Sequence, residues 1–434
     1  MGRFKTCVCV VAATASLLGF SLVHFAGLTT NDWSTRDFSA VYAAALLVRD
    51  GEPAAMYDLP RLGAVGDRLL APDHLAIPVE EVGVGVALAV PLTLVSLPLA
   101  FTVWSLLQLL LVAAAVAIAI RSAPGRWNRH PLTLVAIGGI ALATPALSNL
   151  IDVGQWTGIN ALGIAMAYRA WQRQRYALGG VWLVGTAAIA KPHLAVGLLL
   201  FLVGWGNRRA IAGALAAAST VFVAFIAMVG IGGVHAFITE ALTLSGVISQ
   251  RGGASIMALP SMWFDDGTAA YVLGVVAALT TLALCVLVGR SVRHDARLLS
   301  IGFATASVLS LLASPHAFLY DDVMLAPAIA WVLIELDLFG RLRYRGLANP
   351  WTIVALWLAV PWLQSFLGGI GDELVARVGE LFVWSTLLLA ATLWSLVPLL
   401  RVARADQHRH VAHRVPVLEH QLVRLPDLAE REGL

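Results

Sequence analysis

Charge is scarce in this chain. Of its 434 residues 13% are Asp, Glu, Lys or Arg, 59% are apolar, and the mean hydropathy is +0.81. A water-soluble domain carries roughly twice that charged share, so the bilayer is the main solvent and the chain is a polytopic membrane protein. Lysine is almost missing, with Lys5 and Lys191 the only two. The three cysteines, Cys7, Cys9 and Cys285, have neither metal-ligand spacing nor an even number. They exclude a disulfide scaffold and read as free thiols. The sequence also lacks a Walker A loop, a CxxC pair, HExxH, GxSxG and any basic-aromatic strip. These absences argue against a nucleotide-driven pump, a zinc or serine hydrolase and a nucleic-acid partner.

Long apolar runs are what the chain does have. A crossing helix needs about 20 apolar residues, and such runs lie near 8–29, 99–120, 132–150, 156–171, 177–190, 192–206, 210–232, 268–289, 298–314, 321–339, 350–367 and 378–400. The first follows Arg3 and Lys5 but has no clear small-residue cleavage site, so it reads as a retained helix. Twelve crossings put both termini on one side, together with every Arg cluster: 22 of the 29 Lys and Arg, against 18 of the 26 acids on the other side. The positive-inside rule makes the basic side cytoplasmic. Residues 83–97 are apolar but short, carry Pro91 and precede Pro98, and read as a re-entrant or interfacial helix. The expected organisation is one membrane domain, residues 1–400, and a charged, His-containing cytoplasmic tail, 401–434.

The first outer loop, 31–82, is patterned. Asp37 is placed to cap a helix over 38–49, which Gly51 and Pro53 end, and a second short helix is expected near 60–70. Both are expected to lie along the membrane surface with their apolar faces in the lipid boundary. Taken singly, Asp32, Asp37, Asp50 and Asp58 read as caps and interfacial charge; Asp37 differs because it begins the patterned block.

Other uncommon residues fall on the same outer face. Gln155 stands between Gly154 and Trp156, and Lys191 lies between apolar runs, followed by Pro192 and His193. An ionisable residue within the membrane is a functional hypothesis by default; the alternative is a structural ion pair with an outer acid. Ser314, Pro315 and His316 close one helix, and Tyr320, Asp321 and Asp322 open the next. The two acids either orient Lys191 or His316 or cap their own helix. The outer segment 233–266, with His235, Glu240, Gln250 and Arg251, reads as a loop able to cover a site.

The block Asp37, Phe38, Tyr42, Ala43 to Ala45, Gly51 and Tyr57-Asp58, followed by Gly154-Gln155, Lys191-Pro192 and Ser314-Pro315-His316, resembles glycosyltransferase family 87 (GT87) over roughly residues 8–400. That resemblance implies a GT-C-type helical bundle that moves mannose from a polyprenyl phosphate, with the catalytic acid in the first outer loop, here Asp37. The lipid-linked donor implies a site facing the periplasm or exterior of a bacterial plasma membrane, and a lipid or glycan acceptor. In the inverting displacement this suggests, Asp37 is the general base, and Lys191 faces the donor phosphate with His193, His316, Arg36 and Arg251 in support. Gln155, Tyr42, Tyr57 and Asp58 are assigned to sugar or acceptor. No cofactor is required, although a divalent cation at Asp321 and Asp322 is the alternative to the Lys and His clamp. Two other functions stay open: transfer of another lipid-linked sugar such as arabinofuranose or glucose, and lipid or solute transport.

Overall fold

A computed structural model describes residues 2–28, 36–69, 79, 81–250, 255–264, 267–315, 317–339, 349–363 and 383–395. Among the described residues every regular element is a helix. Four helices are long and apolar enough to cross a membrane: Arg3–Ala26, Leu97–Ser122, Arg208–Thr243 and Gly267–His294. We name their parent helices α1 (Gly2–Ala26), α5 (Leu97–Ser122), α11 (Arg208–Gln250) and α12 (Gly267–His294). Large apolar residues stand exposed on each, among them Phe20 and Val23 on α1, Leu99 and Leu110 on α5, Phe222 and Val223 on α11, and Val276 and Leu287 on α12. These faces are suited to lipid, where leaving a large side chain outside costs nothing.

The remaining expected crossings are shorter or broken. Helix α6 (Pro131–Leu142) and α7 (Pro145–Val153) meet at a bend of 54° and make a fifth span if taken together. The break is chemical: Pro145 has no N–H to continue the ladder, and the Thr144 hydroxyl accepts from the Ala146 N–H instead. Helices α8 (Thr157–Gln172), α9 (Tyr176–Ile189) and α10 (Val196–Trp205) follow. At 1.5 Å per residue, ten-residue α10 is about 15 Å long, half the hydrocarbon thickness. The expected run 321–339 likewise divides into a 3₁₀ turn, Leu319–Leu325, and α14 (Ala326–Glu335), with Pro327 in the first turn of the latter.

The centre is α13 (Leu299–Leu312), all of whose residues are buried, with α14 beside it. Around them α9 packs on α11 and α10 on α12. Gly180 lets α9 approach that closely, since a Cβ there would lie 2.0 Å from the Ala210 carbonyl oxygen. A small residue at the contact brings backbones together where lipid offers no hydrophobic drive. At the far end from the site described below, Arg3, Arg129 and Asp337 line one pocket, and Arg129 pairs with Asp337 at 2.8 Å. The start of α1, the α5–α6 connection and the end of α14 thus share one end of the bundle.

Two expectations change. The segment Asp37–Arg49 is a helix, α2, but it does not lie on lipid: Phe38 to Ala45 and Leu47 are all buried. It is apolar on every side, which suits a helix enclosed by protein rather than an interfacial one. Its cover comes from Met56 and Tyr57 of the 3₁₀ turn Pro53–Tyr57, from Val86 of α4 (Gly83–Ala89), and from Trp104, Trp156, Phe225 and Val229. Helix α3 (Leu59–Leu69) keeps the amphipathic pattern, with Leu62 and Val65 inward and Arg61 and Arg68 outward. The segment after residue 233 is not a loop, because α11 runs on to Gln250 past a break at Gly230, whose φ of 70° only glycine adopts freely. Residues 83–97 form α4 and a 3₁₀ turn, Val90–Leu94, neither long enough to cross. The last two described pieces are α15 (Pro350–Val354), continued by a π turn, and α16 (Val383–Ser395).

Candidate active site

The site is assembled from the ends of four elements. Asp37 is the first residue of α2, yet its side chain caps nothing; the carboxylate accepts a hydrogen bond from Gln155 Nε2 at 2.5 Å. The expected N-cap is therefore replaced by a contact between distant segments. Gln155 reaches Asp37 because α7 ends on Gly154 in the left-handed region, φ 72°, with its N–H on the Leu150 carbonyl. That turn is bolted to α5: Trp104 Nε1 donates to the Gly154 carbonyl at 2.9 Å, Ser105 Oγ donates to the Ile151 carbonyl, and Trp104 packs on Trp156 with 4.4 Å between ring centres. The other amide atom, Gln155 Oε1, is buried without a hydrogen-bond partner.

A Cβ on Gly154 would fall 2.7 Å from Phe38 Cβ, and alanine would also be held at a positive φ. Gly154→Ala is expected to cost about 1–3 kcal/mol and to push α2 off the turn, lowering thermal stability and activity together. A variant with an unchanged melting temperature and full activity would show that the turn tolerates a side chain and that its geometry does not set the site.

Lys191 lies between α9 and the 3₁₀ turn Pro192–Ala195 and is 1% exposed. Its Nζ is 3.1 Å from Asp321 Oδ1 and stands over the Tyr320 ring at 4.5 Å. Asp321 also accepts from Thr157 Oγ1 at 2.6 Å, while its Oδ2 accepts from the Phe318 N–H at 3.0 Å. The two roles weighed for Asp321 are both filled, one by each oxygen: it holds Lys191 and it caps its own 3₁₀ turn. Asn160 Nδ2 donates to the Lys191 carbonyl at 3.5 Å. Asp322 is buried beside it, with Oδ1 lacking a hydrogen-bond partner.

The two halves share one electrostatic field. Burial raises the Asp37 carboxyl above its ordinary pKa, the Gln155 hydrogen bond and the charges of Lys191 and Arg36 pull it back, and Asp321 pushes it up. The cluster thus sets a half-buried carboxylate in the field of a buried cation that pairs with a different acid. That is a suitable arrangement for moving a proton at one point and stabilising an anion at another.

The other expected site residues are placed differently. Tyr42 donates to the Val95 carbonyl at 2.7 Å and Tyr57 to the Glu81 carbonyl at 3.0 Å, with Tyr57 also packed on Phe225 and Phe237. Asp58 is exposed and accepts from the Arg61 N–H at 3.2 Å. The hydrogen bonds of these three are made within residues 42–95. His193 follows Lys191 on the same turn and is half-buried. His316, Arg251 and the tail 401–434 lie outside the described residues, as does Asp32. Among the described residues no three His, Cys, Asp or Glu side chains gather as metal ligands would. Sequence reasoning passed over Thr157 and Asn160; their position just after Gln155, on the face of α8 that meets Lys191, was the available signal.

A helical membrane protein with a buried charged cluster at one end of its bundle is the class these observations define. The profile of glycosyltransferase family 87 matches residues 84–315, more than half of the chain. The protein belongs to that family and is a glycosyltransferase. The match begins after Asp37 and takes in Gln155, Thr157, Lys191, Ser314 and Pro315. No curated protein and no solved structure matches the chain.

Proposed function

We propose that the protein transfers a sugar, mannose in the first reading, from a polyprenyl phosphate to a hydroxyl of a lipid or glycan acceptor. The reaction takes place at the outer face of a bacterial plasma membrane and inverts the anomeric centre. The observation that carries this reading is the pairing of Asp37 on Gln155 with Lys191 on Asp321 in one electrostatic field. Family membership supplies the reaction class, and the apolar exterior suits a donor whose prenyl chain stays in the bilayer.

The step is a single displacement. The acceptor oxygen attacks the anomeric carbon of the β-linked donor while the bond to the phosphate oxygen breaks, and the phosphate leaves with the electron pair. Asp37 takes the acceptor proton, and the product is an α-glycoside. Negative charge grows on the departing phosphate, and a fixed cation facing it lowers the barrier. Lys191 supplies that charge from behind its pair with Asp321, so it acts as a held electrostatic element rather than a free tether, with His193 and Arg36 as nearby donors. Transfer of arabinofuranose or glucose is the second reading, since no residue described here reads the hydroxyl pattern of the sugar.

The test is a mass-spectrometric comparison of glycolipids from cells with and without the protein. The expected difference is loss of one hexose from a lipid or glycan species. Identical profiles would reject the proposal, loss of a pentose would select arabinofuranose, and sugar analysis of a lost hexose separates mannose from glucose.

Because a base works only when ionised, activity falls as pH drops through the raised pKa of Asp37. Gln155→Leu removes the hydrogen bond that pulls that value down. The acid limb of kcat/KM is expected to move to higher pH in this variant. A limb that stays in place or moves down would mean that Asp37 is not the titrating base.

A further inference from the structure

Beside the Asp37 cluster is a second pocket, of about 230 Å³, that the displacement step does not use. Two helices build it. From α7 come Ser148, Asn149 and Asp152, spaced three and four residues apart and so on one helical face. From α1 come Phe20 and His24, one turn apart, and Trp362 closes the side against Phe20 at 6.0 Å in an edge-to-face pair. Trp362 is fixed there by its indole N–H on the Ala143 carbonyl at 2.7 Å.

Three features connect this pocket to the reaction and identify its ligand class. First, it adjoins the base: the charge of Arg36 acts on both Asp37 and Asp152, Gln155 follows Asp152 by one turn of chain, and Leu319 in the pocket wall precedes the Tyr320-Asp321 pair. Second, it demands hydrogen-bond donors. Asp152 is 8% exposed; its Oδ2 faces His24 Nε2 at 3.5 Å, while its Oδ1 is buried with no hydrogen-bond partner. A carboxylate accepts only, so the missing partner is an O–H or N–H, and a phosphate would be repelled. Third, the pocket is below the roughly 300–1,000 Å³ of drug-sized clefts. It offers an aromatic wall opposite a polar one, as a sugar ring with its apolar C–H face and its hydroxyl edge requires.

We propose that this pocket binds one sugar ring of the acceptor, with a ring hydroxyl donating to Asp152 Oδ1, and so makes the acceptor a glycan or glycolipid rather than a simple lipid alcohol. This rests on the transferase reading above. The donor phosphate and the acceptor ring are then sorted by charge: the anion toward Lys191, the neutral polyol toward Asp152.

The test is saturation-transfer NMR on the full chain in lipid nanodiscs, with methyl α-D-mannopyranoside, methyl α-D-glucopyranoside and methyl α-D-arabinofuranoside as probes. The wild type is expected to bind at least one of them. Asp152→Asn is expected to weaken that binding about tenfold, the loss of one hydrogen bond to a charged group. His24→Phe, which fills the pocket from the other helix at an exposed position, is expected to weaken it as well. Asp37→Asn should bind the probe as the wild type does. Absence of binding to the wild type, or wild-type binding by both pocket variants, would overturn the proposal. Transfer from polyprenyl-phosphate mannose measured on Asp37→Asn separates the two levels. Retained transfer in that variant would remove the catalytic reading whatever the glycosides do, and lost transfer with intact glycoside binding supports both.

Discussion

Asp37→Asn is expected to lower sugar transfer by about 10²–10⁴-fold, the range that a well-placed general base contributes. Melting temperature and membrane insertion should stay at their wild-type values or rise slightly. The asparagine carbonyl can still accept from Gln155 Nε2, so the contact between α2 and the α7–α8 turn is kept. What is lost is the half-buried charge, whose desolvation raises the pKa of Asp37 in the first place and whose removal costs the fold nothing. The loss should appear in kcat rather than in the KM for donor, because the acceptor proton moves only in the transition state. Full activity in a correctly inserted variant would reject Asp37 as the base and leave α2 with a structural role alone.

The second large effect concerns Lys191. Removing one member of a buried ion pair leaves the other charge uncompensated, which costs about 3–5 kcal/mol. Lys191→Met does this to Asp321, which is 0% exposed and, among the described residues, keeps Thr157 and the Phe318 N–H as donors. The expectation is a steep fall in melting temperature for Lys191→Met, and a large part of that fall restored in Lys191→Met with Asp321→Asn. Asparagine remains an acceptor for Thr157 and carries no charge to strand. Donor use should not return with stability, since the double variant still lacks the cation facing the phosphate. Strictly additive melting temperatures would show that the pair is not energetically coupled. Restored donor kcat/KM in the double variant would remove Lys191 from the chemistry and leave it a strut.

Much of the site was legible because polar residues are expensive in an apolar chain. Lys191 stands out as one of two lysines, Gln155 as an amide at a helix boundary, and Asp37 as the start of a patterned block. The partners that hold them were harder to read. Thr157 is an ordinary helix residue in sequence, and that it shares Asp321 Oδ1 with Lys191 follows from the crossing of α8 with the 3₁₀ turn, which no periodicity encodes. The partners of Tyr42 and Tyr57 were equally unreadable: a buried phenol needs one, and carbonyls 53 and 24 residues further along the chain supply it.

The helix pattern failed in a similar way. A hydropathy window counts apolar residues and does not register a missing N–H. Runs that look like single crossings are therefore divided at Pro145 and before Pro327, and α11 is broken at Gly230, whereas Pro192 falls between two runs already read as separate. Two of these breaks position the charged cluster. Pro145 sets the angle that carries Gln155 to Asp37, and the turn beginning at Pro192 leaves Lys191 inside the bundle. The surface position expected for α2 failed for the opposite reason: its apolar residues face protein instead of lipid, and an apolar surface alone does not say which will cover it.

The most direct test of the central claim is a structure of the protein with a non-hydrolysable polyprenyl phosphonate sugar. Its phosphonate oxygens should lie within a charge-assisted hydrogen bond of the Lys191 and His193 turn, about 2.7–2.9 Å. Its anomeric carbon should face Asp37, with room between them for one acceptor hydroxyl. A phosphonate bound at the opposite end, against Arg3 and Arg129, or a sugar turned away from Asp37, would contradict the account.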